Sequence, residues 1–451
     1  MQELVNSNDY ERQPVPKEER QAWYRLSAVW IAIGIDLSSV LLGVQIGNGL
    51  SFGHALAAVF VGSLILAAMS AASAYVGAAT GLSTALLTRQ IFGECGAKLI
   101  SLILGVSLLG WFGVQAGFFA ENAHAVTHSV FGLNWNVQWL AVIGGLLMMT
   151  SAIYGYRSIE KLSVVAVPLL VILIFLAIGL AGVRYGWAAL HHPAIQPLSF
   201  GMAVSLVIGI FVVGAVIAPD IARWARTKKE AILAAFVGFL IGNSFMLVVA
   251  IILSKLTNTE NLTQIFIGLG LGIPAIIVLT LAQWTTNTNN LYSSSLGFSV
   301  VFTKVPKRLI AMVAGILATG MAYFGIFDHF ITFLSIITTL IAPIGGVYVG
   351  EYFFVDAEQL QFRADIPHRW IGRSALSWAV GSLLAFATTP VPDGFGWFSL
   401  TTVPALDGFL AAAIVQVLVG LPERRRASHP EETPNQADDA QQGQNPNPQQ
   451  L

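Results

Sequence analysis

Apolar residues run in blocks of about 20 along most of the chain, the length needed to cross a hydrocarbon core of roughly 30 Å. Polar, proline and glycine breaks divide them into about twelve predicted helices, near 27–50, 54–79, 97–124, 137–155, 159–183, 200–222, 231–255, 264–296, 308–327, 329–354, 371–390 and 400–421. The predicted fold class is an all-α membrane protein. Residues 1–26 read as a polar N-terminal tail without the short apolar core of a cleavable signal. Residues 27–421 read as one transmembrane domain. Residues 422–451 end in a Gln/Asn/Pro/Asp-rich tract with too little apolar surface to fold, and read as a disordered tail.

The basic residues test this division independently, because loops rich in Lys and Arg stay on the cytoplasmic side during insertion. All but two of the 23 basic residues fall in alternate segments, from Arg12, Lys17, Arg20 and Arg25 through Arg89 and Lys98 to Arg424, Arg425 and Arg426. Only Arg184 and Lys255 fall in the intervening loops. Both tails are therefore expected in the cytoplasm, with the chain in the inner membrane and the lipid bilayer as its surroundings.

Composition narrows the function classes. Of 451 residues, 55% are hydrophobic and 10% charged, against roughly 25% charged in soluble domains. A net charge of −1 lacks the basic stripe of a nucleic-acid binder. The single cysteine, Cys95, excludes an intrachain disulfide. No soluble catalytic domain, HExxH pair, GxSxG elbow or paired catalytic carboxylates is present, which argues against an enzyme. No obligate protein partner is evident.

Candidate chemistry lies in helices interrupted by glycine, proline or polar groups. The first helix carries Gly34, Asp36, Gly43, Gln45, Gly47 and Asn48, and the sixth carries Gly209, Phe211, Gly214, Pro219 and Asp220. Glycines on such helices serve either close packing or a midplane binding site. The eighth carries Gln283-Trp284-Thr285-Thr286-Asn287-Thr288-Asn289-Asn290, too polar to face lipid. It forms either an interhelical hydrogen-bond network or a site wall where hydroxyls hold a small cation and carboxamides read a solute. The third carries Trp111 with Gln115 one turn on: an aromatic plate suited to a flat heterocycle, or a packing residue. Asp36 is costly at mid-helix and is a candidate for ion or proton coupling, or a hydrogen-bonded structural group. Glu121, His124 and His54 read as interfacial.

These segments resemble nucleobase:cation symporter family one, most closely its bacterial cytosine permease branch. The resemblance rests on Gly49-Leu50-Ser51-Phe52, Gly81-Leu82-Ser83-Thr84 with Arg89 and Phe92-Gly93, Gly110-Trp111-Phe112-Gly113-Val114 and Pro219-Asp220. It continues through Trp284-Thr285-Thr286-Asn287, Leu291-Tyr292, Leu296-Gly297-Phe298, Pro343-Ile344-Gly345-Gly346 and Glu351-Tyr352, spanning roughly 14–420. It implies a 5+5 inverted-repeat, LeuT-like core with broken helices 1 and 6, two further C-terminal helices, and alternating access. It also implies sodium or proton coupling with no other cofactor.

By the same resemblance, a nucleobase lies between Trp111 and Phe211, with Gln115, Asn287 and Asn289 as polar contacts. Sodium would be held by Gly34, Leu37 or Ser38, the Ala282 carbonyl, Thr285 and Thr286. The chain departs from the cytosine permeases at Ile210 and Val213, where those proteins carry polar residues. Its glutamine follows Trp111, as in the hydantoin permeases, with Leu108 a turn before. The resemblance puts cytosine and purines first as solutes, and these departures keep uracil, hydantoin and allantoin as alternatives. A channel is a rival class, but rings of charge or carbonyl filter repeats are not found in the sequence.

Overall fold

A computed structural model describes residues 10, 13–34, 37–154, 156–195, 197–259, 262–363, 365–366 and 369–428. Among the described residues the chain is helical and contains no strand, beyond one isolated parallel bridge between Gln21 and Ala225. Six helical stretches among the described residues are long and apolar enough to cross a membrane: Phe52–Thr80, Thr84–Phe131, Pro168–Tyr185, Lys228–Thr257, Ile326–Val355 and Pro404–Arg424.

The helices are α1 (Trp23–Gly34), α2 (Leu37–Gly49), α3 (Phe52–Thr80), α4 (Thr84–Phe131), α5 (Val137–Tyr154), α6 (Tyr156–Tyr185), α7 (Phe200–Gly209) and α8 (Val212–Val216). They continue as α9 (Ala218–Ala222), α10 (Lys228–Thr257), α11 (Leu262–Gly268), α12 (Gly272–Val301), α13 (Lys307–Tyr323), α14 (Phe330–Gly350), α15 (Gly372–Thr388) and α16 (Pro404–Ser428).

Local chemistry sets several boundaries. The Ser83 hydroxyl accepts from the Leu86 N–H at the start of α4, and the Thr227 hydroxyl accepts from the Glu230 N–H at the start of α10, meeting donors that an α-helix leaves open. Gly81 and Gly132, at φ 72° and 69°, end α3 and α4 in the left-handed conformation that glycine adopts without a side-chain clash.

Several predicted boundaries differ. The helical stretch that holds the third predicted helix begins earlier, at Thr84, and is broken at Gly93 (φ 75°, ψ 175°), so a short helix precedes the long one. The stretch 264–296 is two helices, α11 and α12, parted at Gly270 (φ 77°). The weak division near 327 is a turn at Gly325 (φ 79°) and a single tight turn of helix, Ile326–His329. The last helix runs to Ser428, past the expected limit at 421.

The described part of the N-terminal segment is packed rather than loose. Val15 is buried, the Arg20 guanidinium donates to the Ala78 carbonyl at 3.1 Å, and the Gln21 N–H donates to the Trp224 carbonyl at 2.6 Å. This strap ties the start of α1 to the ends of α3 and α9.

Helices α1, α2 and α3 pack on α10, while α4, α5 and α13 pack around α12. Helices α14, α15 and α16 pack on one another. Glycines on the first helix serve the first group. A Cβ on Gly43 would lie 2.6 Å from the Leu247 carbonyl oxygen, and one on Gly47 would lie 2.4 Å from the Ser254 hydroxyl. The bare side allows the helices to approach backbone to backbone, so packing is what Gly43 and Gly47 do. Residues 35 and 36 lie outside the described residues, so the expected interruption of the first helix is not described.

The predicted interruption of the sixth helix is present. α7 stops at Gly209, Phe211 leaves helical geometry (φ −125°, ψ 10°), and a second break falls at Ile217 (φ −88°, ψ 10°). At that second break the Asp220 N–H turns to the Ile217 carbonyl, and the buried Tyr348 hydroxyl donates to the Val216 carbonyl at 2.7 Å. A carbonyl freed by the break thus keeps a partner, supplied by α14.

Candidate functional site

The polar stretch of the eighth predicted helix sits on α12, and its side chains divide by helical period. Thr286, the adjacent pair Asn289 and Asn290, Ser293 and Gly297 follow one another at steps of three or four residues along one face and line a cavity of about 650 Å³. α4 contributes Leu104, Leu108 and Trp111, the α7–α8 break contributes Ile210, Phe211 and Val213, and α1 contributes Trp30 and Ile33.

Trp111 and Phe211 are both buried and both face this cavity. The Trp111 ring meets Phe330 and Phe333 edge-on, at centroid distances of 5.7 and 5.6 Å, and Phe211 meets Phe239 edge-on at 5.3 Å. Gly110 makes room for this arrangement, since a Cβ there would lie 2.3 Å from the Phe333 ring. Each aromatic ring is therefore held by others, while the cavity stays beside it.

From Trp111 the cavity extends along α4 past Ser101 to Lys98, Glu94 and Arg89, and past Asp220 to Arg223 and Trp224. Roughly 20 Å of helix separates Lys98 from Trp111 at 1.5 Å per residue. Lys98 and Glu94 pair at 3.5 Å and are partly exposed, and Asp220 accepts from the Thr84 N–H at 2.7 Å. Cys95, beside this pair, is exposed. At the other end, Phe327 sits edge-on to Phe118 at 4.9 Å. Aromatic rings thus pack beyond Trp111, and charged residues line the end that reaches solvent.

Of the five residues expected to hold a solute, Trp111, Phe211 and Asn289 line the cavity, whereas Gln115 and Asn287 do not. The fully buried Gln115 donates through Nε2 to the Ser38 hydroxyl at 3.2 Å. Asn287 donates through Nδ2 to the Phe112 carbonyl at 3.1 Å and to Met148 Sδ at 3.2 Å. The reason is angular: one residue turns a helix by about 100°, so Asn287 looks into the α4–α5 contact. Asn290, part of the polar stretch but given no role, is buried against the cavity, and its Nδ2 has no hydrogen-bond partner among the described residues. The signal that finds it is the three-to-four-residue spacing from Thr286.

The expected sodium ligands fall on α1, α2 and α12. The Thr285 and Thr286 hydroxyls both donate to the Ala282 carbonyl, at 2.7 and 3.2 Å, which gathers three hard oxygens of the kind that suit a small cation. Ser38 is fully buried and is engaged by Gln115. Gly34 serves a helix crossing, since a Cβ there would lie 2.6 Å from the Gly242 carbonyl carbon. Asp36 lies outside the described residues, as does the side chain of Leu37. Among the residues read as interfacial, His124 pairs with the Trp135 carbonyl at 2.7 Å and His54 with the Ser51 hydroxyl at 2.7 Å.

Residues 14–412 match a family described as permeases for cytosine/purines, uracil, thiamine and allantoin. The chain belongs to this permease family. It is 35% identical to the cytosine permease of Escherichia coli over 354 residues, which cover 77% of this chain and 82% of that protein. Its fold matches that of Mhp1, a nucleobase-cation-symport-1 family transporter, in a closed conformation with bromovinylhydantoin bound. The TM-score is 0.75 at 17% identity, covering 97% of this chain and 99% of that one. An inward-facing conformation of Mhp1 matches with a TM-score of 0.73 at 18% identity, covering 96% and 97%. This permease is thus a multi-pass membrane transporter of nucleobase-like substrates, not an enzyme.

Proposed function

We propose that the permease imports a nucleobase by alternating access, driven by sodium or protons, with cytosine and purines the leading solutes and hydantoin or allantoin the alternatives. The observation that carries this reading is the cavity beside Trp111 and Phe211, with a carboxamide row on α12 facing it. A planar base stacks on the aromatic faces while the carboxamides pair with its edge. The aromatic packing beyond Trp111 favours a transporter over an open channel, because a continuous pore would leave that end clear.

The core is taken to be a 5+5 inverted repeat within about twelve spans, followed by two C-terminal helices. Its broken sixth helix is the kind of element that lines solute and ion sites in such transporters. Both termini and the charged cavity mouth, with Arg89, Lys98 and Arg223, are assigned to the cytoplasmic side of the inner membrane. The present geometry then corresponds to a cavity open inward. Ala282, Thr285 and Thr286 supply oxygens for sodium, with Gly34 and Ser38 on the facing helix. Coupling requires that the ion bind the outward-facing and inward-facing states unequally.

Purified protein screened by thermal shift against cytosine, uracil, adenine, hypoxanthine, guanine, hydantoin and allantoin, in sodium or in choline, tests the reading. A ligand that binds only the folded state stabilises it by mass action. A sodium-dependent shift for one base is expected. No shift from any compound in either salt, with no uptake into proteoliposomes, would refute it. Thr286→Ala is expected to raise the sodium concentration for half-maximal uptake about tenfold, on the order of the 1.4 kcal/mol that equals a factor of ten. An unchanged sodium dependence would remove α12 from the ion site.

A further inference from the structure

The cavity beside Trp111 is polar on one wall and apolar on the others, and that asymmetry bears on which edges of the solute carry hydrogen bonds. The polar wall is α12, with Thr286, Asn289 and Asn290. Asn290 is 9% exposed, and its Nδ2 lacks a hydrogen-bond partner among the described residues. A donor enclosed in this way does not open onto the cavity, which leaves Asn289 as the carboxamide placed to meet a solute. The remaining walls bring Leu108 from α4 and Ile210 and Val213 from the α7–α8 break, each less than one-tenth exposed. The side chains of these three neither donate nor accept, so a polar ring edge placed against them would lose its hydration without replacement. The charged liners Arg89, Glu94, Lys98, Asp220 and Arg223 belong to the far end of the cavity.

We propose that the site favours an uncharged planar heterocycle that hydrogen-bonds along one edge to Asn289 and carries an alkyl substituent on the edge that meets Leu108, Ile210 and Val213, so that alkylated nucleobases bind more tightly than their unsubstituted parents. This rests on the nucleobase-transport reading and sharpens it. A primary carboxamide offers an N–H donor beside a carbonyl acceptor, so it complements a ring edge with an acceptor beside a donor, as in a lactam. The alkyl group gains by leaving water against the apolar wall, at about fourfold in affinity for each buried methylene. Asn289 then fixes which edge of the base faces α12, through direct contact, and the apolar wall determines the preference for alkylated bases.

The test compares matched pyrimidines on the purified full-length protein, with apparent dissociation constants taken from ligand-dependent thermal shifts: uracil, thymine and 5-ethyluracil, and separately cytosine and 5-methylcytosine. Affinity is expected to rise about fourfold with each added carbon. Ile210→Ser and Val213→Ser should flatten that gradient, and Asn289→Ala should weaken every member by a similar factor of about ten. A flat or reversed gradient in the wild type overturns the proposal and leaves nucleobase transport standing. A gradient that persists in both serine variants overturns the assignment of the wall. No binding by any of the five bases, with no uptake, overturns transport of nucleobases and this inference together. Should Asn289→Ala fail to fold, the wild-type gradient and the serine variants still decide.

Discussion

Replacing Trp111 by alanine is expected to weaken binding of the transported base by tenfold or more while the protein still elutes as a single species in detergent. Base stacking on an aromatic side chain contributes about 1–3 kcal/mol, and Trp111 is the α4 aromatic that faces the cavity. Its ring is set by Phe330 and Phe333 at 5.7 and 5.6 Å, so truncation removes the platform and loosens the rings behind it. Trp111→Phe should fall between the two, since a smaller ring still stacks. The measurement is the dissociation constant of whichever base shifts the wild type, compared across the three proteins. Equal affinity in Trp111→Ala would mean that the base does not lie on α4.

The second large effect is expected on stability. Gly43→Ala should lower the thermal midpoint by several degrees and reduce the yield of monodisperse protein, because the new methyl group would sit 2.6 Å from both the Leu247 carbonyl oxygen and the Ala250 Cβ. Overpacking of this kind costs about 1–3 kcal/mol, and here the obstruction includes backbone that cannot swing aside. Gly53→Ala is the matched control. A Cβ there has nothing within 4 Å, and alanine favours a helix over glycine by up to about 1 kcal/mol, so that variant should match or exceed the wild-type midpoint. Equal losses in the two variants would show that glycine content, not the α2–α10 contact, controls stability.

Much of the architecture is legible in the sequence because bilayer thickness and the sidedness of basic loops are coarse constraints that act on whole segments. The break at Phe211 is legible for a related reason: glycines on either side, at 209 and 214, sit mid-helix with proline at 219. Finer features depend on partners distant along the chain. Gly43 and Gly47 carry no local sign that α10 lies against them. Asn287, Asn289 and Asn290 are alike in sequence, yet one looks into the α4–α5 contact and the other two look into the cavity. Polar content places the site on α12, but only helical phase relative to α4 says which carboxamides face a solute. The strap at Gln21 was equally hidden, because its partners, Trp224 and Ala225, lie two hundred positions away, as roughly that many intervening residues are needed to complete the first six helices.

The exposed thiol beside the Glu94–Lys98 pair has a practical consequence. Cys95 is the chain's one cysteine, so a fluorophore or nitroxide attached through maleimide or thiosulfonate chemistry reports from a single known place, without first engineering other cysteines away. That place adjoins the charged mouth of the cavity, so spectra collected as ions and bases are added would show whether that mouth changes shape in the natural sequence.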